Sequence, residues 1–284
     1  MILALTTLLA LALAPQDPRA GAEPNGDELV SVELLCDRVQ IHPGEHFALA
    51  AKLTITPRWH IYWGENPGDT GTPTRTEIDA PKDFTIFAPR FPVPTRHTDP
   101  GPLFSFVYEN EAVVIFDAVA PEKLEAGSKV HFELDASWLV CTTHCYEGQG
   151  QAALDVECAA AGEPALKNEK LFAGARAKLP RPLAQLHGLD SVLTQDSSKP
   201  GEVQLELRVA GATELSFMPA DQRDPAFVSA TATRDEKGPK LVLVYRWRTQ
   251  PATEGKVGFP GILTVTTTDG PLPCWLDRTY SVKS

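Results

Sequence analysis

The sequence predicts an all-β protein of two β-sandwich domains joined by a short helical segment. Residues 129–138 alternate strictly between apolar and polar side chains, which is the period of a half-buried strand. The chain contains 25 Pro and only two Met, and many short runs of Val, Thr and Leu are separated by turn residues. At 284 residues it exceeds the usual size of one domain, so two domains with separate cores are expected.

The first domain is predicted over residues 28–158. Residues 112–119 are apolar on both faces, which predicts a central place in a sheet. The loop over residues 64–73, rich in Gly and Pro, is long enough to suggest a function. The strands of this domain are predicted at residues 30–36, 47–55, 74–78, 84–87, 103–108, 112–119, 129–138 and 151–158.

A helical linker is predicted over residues 159–182. The composition shifts there to Ala, Lys, Glu and Leu, with apolar residues at near-helical spacing, and Pro180 and Pro182 end the segment. Beyond it, residues 203–209 alternate strictly again. Short strands predicted at 215–218, 227–233, 241–247 and 262–267 indicate a second sandwich over residues 190–284.

Two of the five cysteines, Cys141 and Cys145, follow the point where the alternation of residues 129–138 stops. This predicts that the pair lies in a connection at the rim of a sheet, where thiols are accessible. A disulfide across so short a loop stabilises little, because it removes little chain entropy. A redox role is therefore favoured, and a fixed structural disulfide remains the alternative.

The other three cysteines have no clear partner motif. Cys36 and Cys158 lie on the apolar sides of their strands, and they are either buried thiols or a structural disulfide between the first and last strands of the domain. Cys274 is left over as an odd fifth cysteine.

The first residues of the chain form an apolar run of about fourteen residues, which is short for a membrane span. Ala20 and Ala22 provide a cleavage site of small residues, so residues 1–22 are predicted to be a secretory signal peptide. Export would place the protein where disulfides persist. No later segment is apolar enough over its length to predict another membrane anchor.

Composition and missing motifs exclude several functions. The net charge is −11 without any basic block, so nucleic acid and anionic lipid are not expected partners. No GxSxG, P-loop or HExxH motif is present, so no cofactor and no small-molecule substrate are predicted. Copper or zinc binding by Cys141, Cys145 and His144, with His60, is an alternative. It ranks lower because a CxxxC pair supplies two of the four ligands that structural zinc requires.

Three segments carry a resemblance to a known family: WHIYWGENPGDTGTPT (59–74), SFVYENEAVV (105–114) and WLVCTTHCYEGQ (138–149). They resemble the N-terminal periplasmic domain of DsbD-type and ScsB-like thiol:disulfide interchange proteins. Residues from 215 to the strand at 261 resemble the second β-domain of the ScsB-like branch. The resemblance implies an immunoglobulin-like sandwich, a periplasmic location and thiol:disulfide oxidoreductase activity of the protein-disulfide reductase type.

The resemblance also implies an electron route and partners. The pair Cys141 and Cys145 would accept electrons from a membrane-embedded DsbD/CcdA-like donor. It would pass them to thioredoxin-like or other exported thiol proteins, as in cytochrome c maturation. Cys145 is the predicted attacking cysteine.

An aromatic cap over the pair is implied as well, formed by Phe104 or Phe106 with Tyr108. Packing in the core is an equal alternative for Phe106 and Tyr108, because these two residues lie on the same face of the predicted strand. Asp69, Glu109 and His144 are candidates to tune thiol acidity, because a carboxylate raises a thiol pKa and an imidazolium lowers it.

Family members usually continue into a polytopic membrane domain and a thioredoxin-like domain, whereas this sequence ends at Ser284. Two functions are therefore expected to compete. One is a relay that a separate protein supplies with electrons. The other is a non-catalytic sandwich that binds an exported protein, with the cysteine pair as a fixed disulfide.

Overall fold

A computed structural model of the chain describes residues 24–99, 101, 103–160, 162–195, 199, 201–220, 225–247 and 254–283. The predicted signal peptide over residues 1–22 lies outside the described residues. The strands up to the helix are β1 (Val30–Cys36), β2 (Gln40–Ile41), β3 (His46–Ile55), β4 (His60–Tyr62), β5 (Arg75–Asp79), β6 (Thr85–Ile86), β7 (Thr95–Thr98), β8 (Phe104–Glu109), β9 (Glu111–Val119), β10 (Lys129–Cys141) and β11 (Cys145–Cys158).

After the helix α1 (Glu169–Ala177), strands resume to the end of the chain. They are β12 (Arg181–Pro182), β13 (Leu189–Gln195), β14 (Glu202–Val209), β15 (Glu214–Pro219), β16 (Ala226–Asp235), β17 (Gly238–Arg246), β18 (Glu254–Gly258), β19 (Gly261–Thr267), β20 (Gly270–Leu276) and β21 (Thr279–Lys283). Two short 3-10 turns occur at Gly26–Glu28 and Leu183–Gln185. The all-β prediction is confirmed.

The strands before α1 form two sheets around one core. The first sheet has the order β1-β3-β9-β6, and the second has the order β2-β11-β10-β4-β8-β7, with β5 also paired to β10. The residues of β10 alternate between buried and exposed along most of the strand, as predicted. Side chains of both sheets meet in this core, which we call the first core; among them are Leu49, Leu53, Phe116, Phe132 and Leu134.

The strand β9 lies inside its sheet, between β3 and β6, as its two apolar faces predicted. One face contributes Val114 and Phe116 to the first core. The opposite face, with Val113 and Ile115, is covered by Phe172 of α1 together with other apolar residues of the linker. The helix therefore packs on the outside of the first sheet and explains why β9 needs no polar side.

The helix is shorter than the predicted linker over residues 159–182. The chain before it is extended and hydrogen-bonds to the segment after β1: Val39 N donates to Ala165 O at 2.9 Å, and Lys167 N donates to Asp37 O at 3.0 Å. These bonds satisfy backbone groups that a helix would otherwise satisfy. The helix itself is fixed by Arg176, whose Nη2 lies 3.1 Å from Oδ2 of the buried Asp37.

The strands from β12 onward form separate sheets with the orders β12-β20-β19-β15 and β13-β14-β17-β16, and β18 pairs with β21. They enclose a second core that includes Leu205, Leu243, Tyr245 and Phe259. The two cores agree with the predicted pair of domains, 28–158 and 190–284, and this division stays a prediction.

The two groups of sheets are in contact. Ala220 and Ile262 of the second group are buried against the first core. The ring of Trp275 meets that of Trp63 edge-on, with 6.5 Å between ring centroids. Asn66 Nδ2 also donates to Pro219 O at 2.8 Å. Among the described residues, no helix is both long and apolar enough to cross a membrane.

Candidate functional site

The cysteine pair closes the tip of a long hairpin. Strands β10 and β11 pair from Lys129 opposite Glu157 to Cys141 opposite Cys145. The two cysteines form a disulfide, and their Cα atoms lie 4.2 Å apart. Residues 142–144 make the turn, where Thr142 N donates to His144 O at 3.0 Å. The pair thus lies at the rim of a sheet, as predicted, but in the last paired positions of the two strands and not in the connection between them.

The second strand of the hairpin starts earlier than its sequence predicts, at Cys145 instead of residue 151. Gly148 and Gly150 interrupt the alternation of apolar and polar side chains at its start. They stand near Trp138, and a Cβ on Gly148 would lie only 2.4 Å from Trp138 Nε1. The indole lies over this stretch of β11 and donates from Nε1 to Gly26 O at 3.2 Å. Small residues are required here for packing, so the alternation of apolar side chains is lost.

The two sulfur-bearing residues differ in exposure. Cys141 is 1% exposed, whereas Cys145 is exposed at the surface. Since β10 alternates, Val140 faces the first core and Cys141 faces the opposite side of the sheet. There Cys141 packs with Tyr62, Val107 and Leu139 in a small apolar cluster. A partner thiolate approaching from solvent would reach Cys145 first.

A polar row crosses the sheet beside Cys141. In the register of the strands, Cys141 of β10 stands opposite His60 of β4, and His60 stands opposite Glu109 of β8. Side chains of directly opposite residues lie on the same face of a sheet, with Cβ atoms about 4.5 to 5.5 Å apart. His60 is therefore the imidazole next to the buried cysteine.

The ring of His60 is buried among other rings. It is 6% exposed, and its Nε2 has no hydrogen-bond partner. Ring centroids of Tyr62 and His97 lie 5.4 and 5.1 Å away. Burial, and then the neighbouring His97, lower the pKa of His60, while Asp99 and Glu109 act in the opposite direction.

The Gly- and Pro-rich loop after β4 lies against Tyr62. At Gly71, where φ is +89°, a Cβ would lie 2.3 Å from Tyr62 Cε1, so only glycine fits. Burial raises the pKa of the Tyr62 phenol. The loop whose length suggested a function thus holds the aromatic ring that packs beside Cys141.

The residues predicted to form a cap pack on the face of β8 away from Cys141, and the cap stays a prediction. Phe106 and Tyr108 are buried in the first core, and Phe104 packs against it. All three lie on the same face of β8, whereas Val107 lies on the opposite face and packs with Cys141. The Phe104 ring is covered by the Arg96 guanidinium, 4.3 Å from its centroid. Tyr62 is the aromatic residue in the apolar cluster on the face of Cys141.

Two of the three predicted tuning residues have other contacts. Asp69 joins the loop to the start of β8, because its Oδ2 accepts from Phe104 N at 3.1 Å and its N donates to Phe104 O at 2.8 Å. His144 is exposed in the hairpin turn, where its Nδ1 lies 3.2 Å from Thr143 Oγ1. Neither of these contacts involves the disulfide.

The other three cysteines, Cys36, Cys158 and Cys274, are buried free thiols. Of the two alternatives for Cys36 and Cys158, the structure has the thiols and not the disulfide. Burial raises the pKa of Cys36 to about 11, which makes it unreactive at neutral pH. As for metal ligands, the described residues contain no group of three or more His, Cys, Asp or Glu side chains that could hold an ion.

Sequence reasoning missed the neighbours of Cys141. The sequence predicts His60 only as an alternative metal ligand and does not place Tyr62 beside the cysteine pair. Trp59 and Trp63 pack with the first core. The missed signal is parity within β4, where Ile61 faces the first core and its two neighbours therefore face the other side.

Fold and site together define a β-sandwich domain with a disulfide at the tip of its hairpin. Residues 27–157 match the family described as thiol:disulfide interchange protein DsbD, N-terminal. The match covers somewhat less than half of the chain, and over these residues it confirms the resemblance seen in the sequence.

The fold is also found in a solved structure. The N-terminal periplasmic domain of ScsB from Proteus mirabilis is similar over 88% of this chain and 91% of that chain, with a TM-score of 0.53 and 14% identity. The reduced DsbD N-terminal domain of Neisseria meningitidis matches 54% of this chain and 100% of its own, with a TM-score of 0.30 and 15% identity. No curated protein sequence matches the chain.

Proposed function

We propose that the chain is a thiol:disulfide interchange module in which Cys141 and Cys145 are the redox pair. The observation that carries this proposal is the disulfide at the hairpin tip, with one sulfur-bearing residue exposed and the other buried. The family match over residues 27–157 supports it. Such an asymmetric pair suits exchange, because one cysteine meets the partner and the other is kept to resolve the mixed disulfide.

The exchange has a loading half and a delivery half, and each half consists of two thiol–disulfide steps. A donor thiolate attacks Cys145 Sγ, the bond between the two cysteines breaks, and its electron pair leaves on Cys141 Sγ. A second donor thiolate then displaces Cys145, so the donor is oxidised and the pair is reduced. In the delivery half, Cys145 attacks a partner disulfide, and Cys141 attacks the mixed disulfide and releases the reduced partner.

The proposed partners are exported thiol proteins. The donor would be a membrane-embedded DsbD/CcdA-like protein, and the acceptors would be thioredoxin-like or other oxidised proteins of the periplasm, including those of cytochrome c maturation. The module would then be a protein-disulfide reductase that needs no cofactor, since electrons travel on sulfur. Export by the predicted signal peptide fits a periplasmic location.

A binding module with a fixed disulfide is the second candidate. The burial of Cys141 among Tyr62, Val107 and Leu139 favours it, because a disulfide shielded on one side resists reduction. This candidate keeps the same fold and the same bond, and it differs only in whether the bond turns over.

Two serine variants test the proposal in reduced protein mixed with an oxidised model disulfide such as glutathione disulfide. Cys141→Ser and Cys145→Ser should each abolish net exchange while circular dichroism shows that the protein remains folded. Cys141→Ser should accumulate an adduct on Cys145, detected by mass spectrometry, whereas Cys145→Ser should react much more slowly because its remaining sulfur is buried. Exchange that survives in either variant would contradict the proposal.

A further inference from the structure

We infer that His60 is the proton-transfer partner of Cys141 during exchange, an inference that rests on the proposed function. The buried cysteine cannot exchange its proton freely with bulk water, since it is 1% exposed. Each half of the reaction nevertheless changes its protonation. As an attacking group it must lose a proton, and as a leaving group it must have its charge neutralised.

The geometry places one imidazole in position for this task. His60 stands directly opposite Cys141 in the register of β4 and β10. Its Nε2 is buried without a hydrogen-bond partner. A buried ring nitrogen without a partner costs stability, and in a neutral imidazole one nitrogen accepts while the other donates. Reduction creates a thiol beside this ring, and the thiol can satisfy the unpaired nitrogen.

The groups around His60 set its protonation state for this proton transfer. Tyr62 of β4 and His97 of β7 lie against the ring, and the carboxylates of Asp99 and Glu109 favour its charged form. In the oxidised protein, burial and His97 outweigh the two carboxylates and keep the pKa of His60 below its usual value, so the imidazole is neutral at pH 7.

The steps follow from this state. In delivery, the Cys141 thiol gives its proton to the neutral imidazole, and the thiolate attacks the disulfide between Cys145 and the partner, which leaves as a thiolate. In the loading half, the electron pair of the broken bond remains on Cys141 Sγ. The new negative charge favours protonation of the imidazole by solvent, and the imidazolium then passes this proton to the thiolate, which restores the Cys141 thiol and the neutral imidazole.

The first test is the titration of Cys141 in the Cys145→Ser background, followed by thiolate ultraviolet absorbance. Subtracting the signal of the Cys141→Ser/Cys145→Ser double variant removes the other thiols. Adding His60→Gln should lower the Cys141 midpoint measurably, since the neutral imidazole accepts a hydrogen bond from the thiol and such a bond to the protonated form disfavours the thiolate. An unchanged midpoint would overturn the inference.

The second test is kinetic and uses the otherwise unmodified chain. The adduct of glutathione on Cys145 should resolve about a hundredfold more slowly in His60→Gln, the lower end of the usual contribution of acid–base assistance. His131→Gln is the matched control, because His131 is exposed on β10, the strand of Cys141, and is paired with Asp155 and Glu133. It should resolve at the unmodified rate, and equal slowing in both variants would overturn the inference.

A pH profile of the unmodified chain keeps the inference testable if His60→Gln does not fold. The resolution rate should depend on an ionisation below the ordinary histidine value of about 6.5, and not solely on one in the thiol range near 8.5. A profile with the thiol ionisation alone would overturn the inference. Failure of the unmodified chain to resolve any adduct would instead refute the proposed function, so the two failures are distinguishable.

Discussion

At the scale of single residues, the chemistry depends on which face of β10 each side chain occupies. Val140 belongs to the first core and Cys141 to the small cluster on the other side. A shift by one residue in this strand would exchange the two positions. The apolar neighbours of Cys141 therefore control the access of reagents, and Tyr62 is the largest of them.

Shortening this ring should open the site. Tyr62→Leu keeps an apolar contact but removes the phenol ring, so the reduced Cys141 thiol in the Cys145→Ser background should react several-fold faster with a small alkylating reagent. The measurement is the rate of mass gain at Cys141 under native conditions. Circular dichroism should confirm that the variant remains folded.

Phe104→Leu is the matched control, because it shortens an aromatic ring on the opposite face of β8, where it packs with Phe106 and Arg96. It should leave the alkylation rate unchanged. Faster alkylation in Phe104→Leu with no effect of Tyr62→Leu would restore the cap that the sequence suggested.

At the scale of elements, the sequence predicts strands well and their surroundings less well. The alternation in β10 and the two apolar faces of β9 correctly predict a half-buried strand and an interior strand. The start of β11 and the length of the linker helix are not predicted. Glycine near Trp138 and backbone pairing with the segment after β1 determine them, and both depend on distant parts of the chain.

The candidate site was predicted in part for the same reason. The cysteine spacing and the end of the alternation locate the pair at the sheet rim. The neighbours of Cys141 come from β4 and β8, and the pairing of these strands is long-range information that local patterns do not contain.

The linker helix should contribute strongly to stability, although it was predicted as a connector. Phe172 is 1% exposed and covers the outer face of β9. Phe172→Ala should lower the free energy of unfolding by about 3 to 5 kcal/mol, the usual range for emptying a buried aromatic site. Urea denaturation measures this change.

Lys170→Ala is the control on the same helix, because Lys170 is exposed. It should change stability by less than about 0.5 kcal/mol. Equal and small effects of both substitutions would mean that the helix is not part of the folded unit around the first core.

At the scale of the whole molecule, two cores lie in one chain and touch through a small number of side chains. Trp275 of β20 meets Trp63 beside the first core, and Ile262 is buried there as well. If the two groups of sheets are separate domains, this contact couples their unfolding without creating either core.

Removing the contact should therefore weaken the coupling. Trp275→Ala should broaden or split the thermal transition measured by calorimetry, while the alkylation rate of reduced Cys145 stays the same, because the hairpin tip does not depend on the contact. A single sharp transition that shifts as a whole would argue for one cooperative unit instead of two domains.

Exchange requires that the bond between Cys141 and Cys145 turns over, and its reduction potential measures whether it can. The oxidised and reduced forms should be quantified by alkylation and mass spectrometry after equilibration in a dithiothreitol or glutathione series. The potential should lie above about −300 mV, where exchanging disulfides lie, and a pair that stays oxidised well below about −300 mV would identify a fixed structural bond and overturn the proposed function.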